Sequence, residues 1–140
     1  MKLQRIRARE GFRRNNLTDV SEYYGLYFKA YFHKKTKESR QSLPMAPATA
    51  FFTDRAYENL IKDIGDYNFT DSLQMIKTPT LIIHGEQDPI PWKAAEKIHE
   101  NLENSELEVY PNCGHMTYFE ARSKLRRSLQ KFYAKLSSEQ

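Results

Sequence analysis

The residues best placed to do chemistry together are Asp88 and His115. Each lies in a short loop that follows a run reading as a β-strand. The first loop is Gly85-Glu86-Gln87-Asp88-Pro89 and the second is Pro111-Asn112-Cys113-Gly114-His115. A carboxylate bonded to Nδ1 of an imidazole fixes the ring's tautomer, stabilises the imidazolium and leaves Nε2 to act as a general base. Asp88 and His115 are therefore the expected orienter and base, the catalytic residues of the chain. Cys113 beside His115 lacks third and fourth ligands at metal spacing, so no metal or other cofactor is expected. His84 reads as a structural residue at a strand end, His99 as part of a helix face, and His33 as solvated among lysines.

The two residues can meet only if the elements before them are neighbours. Pro79-Thr80-Leu81-Ile82-Ile83-His84 is a short apolar run ended by Gly85, the pattern of a parallel strand buried on both faces. Leu107-Glu108-Val109-Tyr110 reads as a second strand. Between them Pro91 to Leu102 reads as a helix, with Trp92, Ala95, Ile98 (or His99) and Leu102 on one face and Pro91 in its first turn. Ser123 to Leu136 reads as a last helix, with Leu125, Leu129, Phe132 and Leu136 along one stripe. Strand, helix, strand, helix is a right-handed βαβ unit and its successor. Parallel strands lie about 4.8 Å apart, and ligands gather at the loops beyond their carboxyl ends. Both loops then emerge along one edge.

The front of the chain reads as helical. Asp19, with Glu22 three residues on, is the expected cap of a helix bearing Val20, Tyr23, Tyr24, Tyr27, Phe28, Tyr31 and Phe32 on a wide aromatic face, ended by Lys34 to Lys37. Gln41 to Ala50, with Pro44 and Pro47, reads as a loop. Thr53 or Asp54 is the expected cap of a second helix, with Tyr57, Leu60, Ile61 and Ile64 on one face and Gly65 as its stop. Asp71 opens one further short turn through Leu73 and Ile76.

The segment from Ile76 to Leu136 resembles the C-terminal part of an α/β-hydrolase. The resemblance rests on Pro79-Thr80-Leu81-Ile82-Ile83-His84-Gly85-Glu86-Gln87-Asp88-Pro89-Ile90-Pro91 and then Pro111-Asn112-Cys113-Gly114-His115. It implies that Asp88 is the triad acid and His115 the triad base, in the family's order of Ser, Asp, His. Residues 1–76 then resemble the helical cap, and residues 77–140 the closing β-α-β-α part of a partial α/β-hydrolase fold with two parallel strands. The approach Asp66-Tyr67-Asn68-Phe69-Thr70-Asp71-Ser72-Leu73, into Ile76-Lys77-Thr78-Pro79, is most similar to proline iminopeptidases and related aminopeptidases. In those enzymes acidic cap residues hold the substrate's free amine, and Asp54 and Glu58 are open equivalents without residue-by-residue alignment.

One part of the family pattern is absent. The nucleophile elbow G-x-S-x-G needs a serine between two glycines, and glycines stand only at 11, 25, 65, 85 and 114. Ser21 lies between Asp19 and Tyr23, Ser72 between Thr70 and Gln74, and Cys113 between Pro111 and His115. His115 without a nucleophile cannot supply covalent catalysis. The expectation is a serine-hydrolase-derived chain, inactive alone, whose complete form acts on a small peptide or ester. The alternatives are a non-catalytic interaction protein that binds through an open strand edge or a cap helix, and a carboxylesterase-like fragment. The chain's own cap helices, a second copy of the chain or a missing N-terminal half is the expected cover for the strand edge, with self-association or rearranged cap packing favoured.

Composition bounds the rest. The chain has 140 residues, 22 Lys+Arg and 18 Asp+Glu, and 39% hydrophobic residues, enough for one domain with a core. Residues 1–40 hold 11 Lys/Arg against 4 Asp/Glu, and the remainder 11 against 14. The basic front reads as a solvated helical face rather than a nucleic-acid surface, because no stacking motif accompanies it. No apolar run nears the roughly 20 residues of a bilayer span, so no membrane partner is expected. A single cysteine and no secretory h-region point to a reducing, cytoplasmic setting. The sequons at Asn16 and Asn68 are read as chance.

Overall fold

The computed structural model describes residues 2–14, 16–33, 47–65 and 67–138, with backbone alone over 47–55. The chain divides into two compact units, Met1–Ala30 with Lys35–Tyr67, and Tyr31–Lys34 with Asn68–Gln140.

The first unit is helical: α1 (Lys2–Arg7), α2 (Glu10–Arg13), α3 (Leu17–Lys29) and α4 (Pro47–Ile64). Val20 and Tyr24 form its buried centre, with Phe12, Tyr23 and Phe28 packed against them and Ile6 fully buried on α1. The Tyr23 ring lies 4.9 Å from Phe12 and meets Tyr24 edge-on at 5.2 Å, the tilted geometries that aromatic quadrupoles favour.

Several local expectations are corrected here. The cap of α3 is Asn16, whose side chain accepts from Thr18 N at 3.0 Å. Asp19 and Glu22 instead converge on one Arg9 guanidinium nitrogen, at 2.9 and 2.7 Å. Three charges joined in one network outweigh a local capping box. The aromatic stripe also ends early. The helix stops at Lys29, so Tyr31 and Phe32 leave its face and belong to the other unit. The second helix starts at Pro47, with Thr53 and Asp54 inside it, because a proline at the first position has no intrahelical N–H bond to lose. Residues 41–46 and the lysine run from Lys34 lie outside the described residues. Gly65 does end α4, with φ at 64° and its N–H on the Ile61 carbonyl at 2.9 Å. The expected apolar face of α4 is not a buried one: Tyr57 is 63% exposed, and Leu60, Ile61 and Ile64 are exposed with it.

The second unit opens with a 3-10 turn at Thr70–Met75, begun by Asn68, which accepts from Thr70 N at 3.0 Å. Both sequon asparagines thus accept a hydrogen bond from the backbone N–H two residues on. Then come β1 (Thr80–Gly85), α5 (Lys93–Asn101), β2 (Ser105–Tyr110), a single turn α6 (Thr117–Glu120) and α7 (Arg122–Ser138). The strands pair in parallel, from Thr80 opposite Ser105 to Gly85 opposite Tyr110. The α6 turn was not expected from the sequence. Four residues carry too little periodicity to separate it from the helix that follows.

Burial is shallower than the strand pattern predicts. Residues 80–84 are half-buried rather than enclosed, because a two-stranded sheet offers few neighbours to cover both faces. Ala95 of α5 and Leu102, the residue that follows it, turn inward, whereas Ile98 is exposed. His99 takes its place, with Nδ1 2.7 Å from Ser105 Oγ. On α7 the exchange is similar. Leu129 is exposed, and Ser128 is buried beneath the fully buried Tyr110. The Tyr110 hydroxyl donates to Ser128 Oγ at 2.7 Å, which in turn donates to Glu108 Oε2 at 2.8 Å. A buried phenol needs a hydrogen-bond partner, and this one decides which face of α7 turns inward.

Candidate active site

The site lies where β1 and β2 end. Gly85 and Tyr110, the last residues of the two strands, are in register, so the loops after them start side by side. Cross-loop bonds hold them together. Glu86 N donates to the Tyr110 carbonyl and Gln87 N to the Cys113 carbonyl, both at 2.9 Å. Gln87 also returns the bond, its Oε1 accepting from Cys113 N at 2.9 Å. The approach leaves no room for a side chain at position 85. A Cβ there would stand 2.1 Å from the Gly114 carbonyl oxygen and 2.4 Å from that of Cys113.

Asp88 and His115 meet across these loops. Oδ2 of Asp88 lies 2.7 Å from Nδ1 of His115. A carboxylate only accepts, so Nδ1 carries the proton and Nε2 is the basic nitrogen. The other Asp88 oxygen accepts from Ile90 N at 2.9 Å, which fixes the carboxylate's rotation. The Asp88 side chain is 3% exposed and that of His115 is 42% exposed. A desolvated anion thus sits behind an accessible imidazole, the arrangement in which a charge-assisted bond is strongest and the outer nitrogen stays reachable.

Three further residues shape the site. His115 N donates to the Tyr31 carbonyl at 2.8 Å, and the Tyr31 ring meets the imidazole edge-on at 5.0 Å. Gly114 N donates to Glu120 Oε2 at 2.7 Å, which ties the histidine loop to α6. His84, expected as structural, places Nε2 3.6 Å from Asp88 Oδ2. Neither Tyr31 nor Glu120 is marked by any motif. Gln87 was legible only as a loop residue. Cys113 is buried, and no group of three His, Cys, Asp or Glu side chains among the described residues is arranged to hold a metal ion. No helix among the described residues is long and apolar enough to cross a membrane.

The model of the alpha/beta hydrolase fold family matches residues 3–122. The chain belongs to the α/β-hydrolase family. Over 72 residues, 51% of this chain and 24% of the relative, it is 40% identical to the proline iminopeptidase of Thermoplasma volcanium. Among solved structures it is similar to an esterase from Exiguobacterium antarcticum, with a TM-score of 0.61 and 22% identity over 94% of this chain and 47% of that one. The proline iminopeptidase of Mycobacterium smegmatis aligns with a TM-score of 0.55 and 15% identity, over 95% of this chain and 47% of that one. At those identities the two structures speak for the fold alone. The matched part of this α/β-hydrolase chain spans about a quarter of its curated relative and about half of each solved structure. Its helices followed by a two-stranded parallel sheet are a partial α/β-hydrolase fold, and about half of the chain is similar in sequence to proline iminopeptidases.

Proposed function

We propose that this chain carries the acid–base half of a serine-type hydrolase site, of the aminopeptidase kind, and does not turn over substrate alone. One observation supports it above others: the 2.7 Å bond from His115 Nδ1 to a carboxylate that is 3% exposed. In the complete site a serine from the front half of the fold attacks the scissile carbonyl. His115 Nε2 takes the serine's proton and hands it to the leaving amine, which releases an acyl-enzyme for water to hydrolyse. Asp88 holds the tautomer and stabilises the imidazolium throughout. Residues 1–76 serve as the cap and residues 77–140 as the closing part of the catalytic domain. No metal or redox cofactor enters these steps.

The test is hydrolysis of proline β-naphthylamide and p-nitrophenyl acetate by the purified chain, with His115→Ala as control. Each measurement is repeated after co-expression with the front half of a proline iminopeptidase. The expected result is no turnover by the chain alone and His115-dependent turnover of the amide in the combined protein. Turnover of the ester only would favour the carboxylesterase alternative. His115-dependent turnover by the chain alone would overturn the missing-nucleophile reading. The other alternative, a non-catalytic binding protein, draws on the exposed Tyr57 and Leu60 of α4 and on the open edges of a two-stranded sheet. It predicts no turnover in either form.

A further inference from the structure

Asp88 has a second imidazole beside it, and its geometry is restrictive. The Nδ1 atom of His84 lies 2.9 Å from the Gly85 carbonyl oxygen. A carbonyl only accepts, so Nδ1 of His84 is the donor and the ring is held at one end. The other end, Nε2, stands 3.6 Å from Asp88 Oδ2, the same oxygen that receives His115. The His84 side chain is 14% exposed, so water offers the carboxylate little on that side. Oδ1 is already held by Ile90 N. The carboxylate is therefore bracketed by a backbone N–H on one oxygen and by two imidazoles on the other.

We infer that His84 is a positioning residue for the Asp88–His115 pair. Its ring, pinned to the strand end, fills the space beside Oδ2 and blocks the swing of the carboxylate away from His115. His115, far more exposed than its partner, would otherwise exchange Asp88 for water. The inference rests on the reading of Asp88 and His115 as orienter and base, and adds a third residue that acts through the first.

The test uses the 140-residue chain with 15N-labelled histidine and follows the His115 Nδ1–H proton by NMR, in wild type, His84→Leu and His84→Ala. Leucine keeps bulk beside Oδ2 and alanine removes it. In wild type the proton is expected to be hydrogen-bonded and slow to exchange. A space beside Oδ2 lets water compete with His115 for the carboxylate, which is worth roughly a tenfold change in an equilibrium. His84→Ala should therefore speed exchange of that proton about tenfold, and His84→Leu should keep most of the protection. No protected Nδ1–H in wild type would defeat the Asp88–His115 reading itself. A protected proton that is unchanged in His84→Ala would leave that reading standing and overturn the role of His84. If leucine and alanine are equally exposed to exchange, or both variants lose their backbone amide protection throughout, His84 does not position Asp88 by its bulk and the inference fails.

Discussion

A side chain at position 85 would occupy the space of the neighbouring loop's backbone. The clash at 2.1 Å is with the Gly114 carbonyl, one residue from His115, so relief requires the histidine loop itself to move. Backbone cannot rotate aside as a flexible side chain can. We expect Gly85→Ala to destabilise the second unit by about 2–4 kcal/mol, the range of severe overpacking. A urea titration should show the midpoint fall with an unchanged slope. The His115 Nδ1–H resonance should also lose its Asp88 partner in the fraction that stays folded. A stability matching wild type would mean that the two loops do not approach as closely as described. The same closeness makes the site an acceptor–donor lattice: Gln87, Cys113 and Gly114 bond across the loops and onward to Glu120 before Asp88 and His115 meet.

Among the elements, α3 depends on a cap that no capping-box pattern marks. Asn16 satisfies one of the first-turn N–H groups, and Asn16→Ala should cost about 1 kcal/mol in thermal or urea unfolding. Asp19→Ala should act differently, by releasing Arg9, and its effect should shrink with added salt because that network is exposed. On the sheet, Lys135 of α7 donates to Glu106 of β2 at 2.7 Å and holds its carboxyl below the usual range. A depressed carboxylate contributes stability above its unfolded pKa and loses it as pH falls through the folded value. Because Glu106 is exposed, the stability effect is small, and the titration itself is the better readout. Lys135→Met should let the Glu106 side-chain resonance titrate closer to the ordinary range of a carboxylate. Tyr110, at the end of the same strand, is pushed up by burial, partly offset by its bond to Ser128.

For the molecule as a whole, the unmet surface is the telling feature. Among the described residues the sheet has two strands with no third paired to either edge, and such edges template further pairing unless blocked. The apolar residues of α4 are exposed too. The chain is expected to associate in solution. Light scattering should give a mass above that of one 140-residue chain, falling when the front half of a related hydrolase is co-expressed. A strictly monomeric chain at high concentration would show that these edges are covered from within.

Much of the second unit was legible in the sequence, and for identifiable reasons. The apolar run before Gly85 and the shorter one before Pro111 mark strand ends, and an interposed helix makes them parallel, which brings the Asp88 and His115 loops to one edge. Gly65 as the end of α4 was legible because only a left-handed residue suits that position. What remained hidden was the choice among near-equal partners. Periodicity offered Leu129 as inward-facing and left Ile98 or His99 open, and the structure turned in Ser128 and His99, since Tyr110 and Ser105 supply polar partners there. It offered Tyr31 as helix core, and the structure ended α3 two residues earlier and set that tyrosine beside His115. Period and turn chemistry are properties of neighbours along the chain, so the sequence determined the elements and their loops. Which side chains meet across the fold depends on rotations of one residue and on polar groups finding partners at a distance. Only the tertiary structure decided that His84 and Tyr31 would stand beside the Asp88–His115 pair.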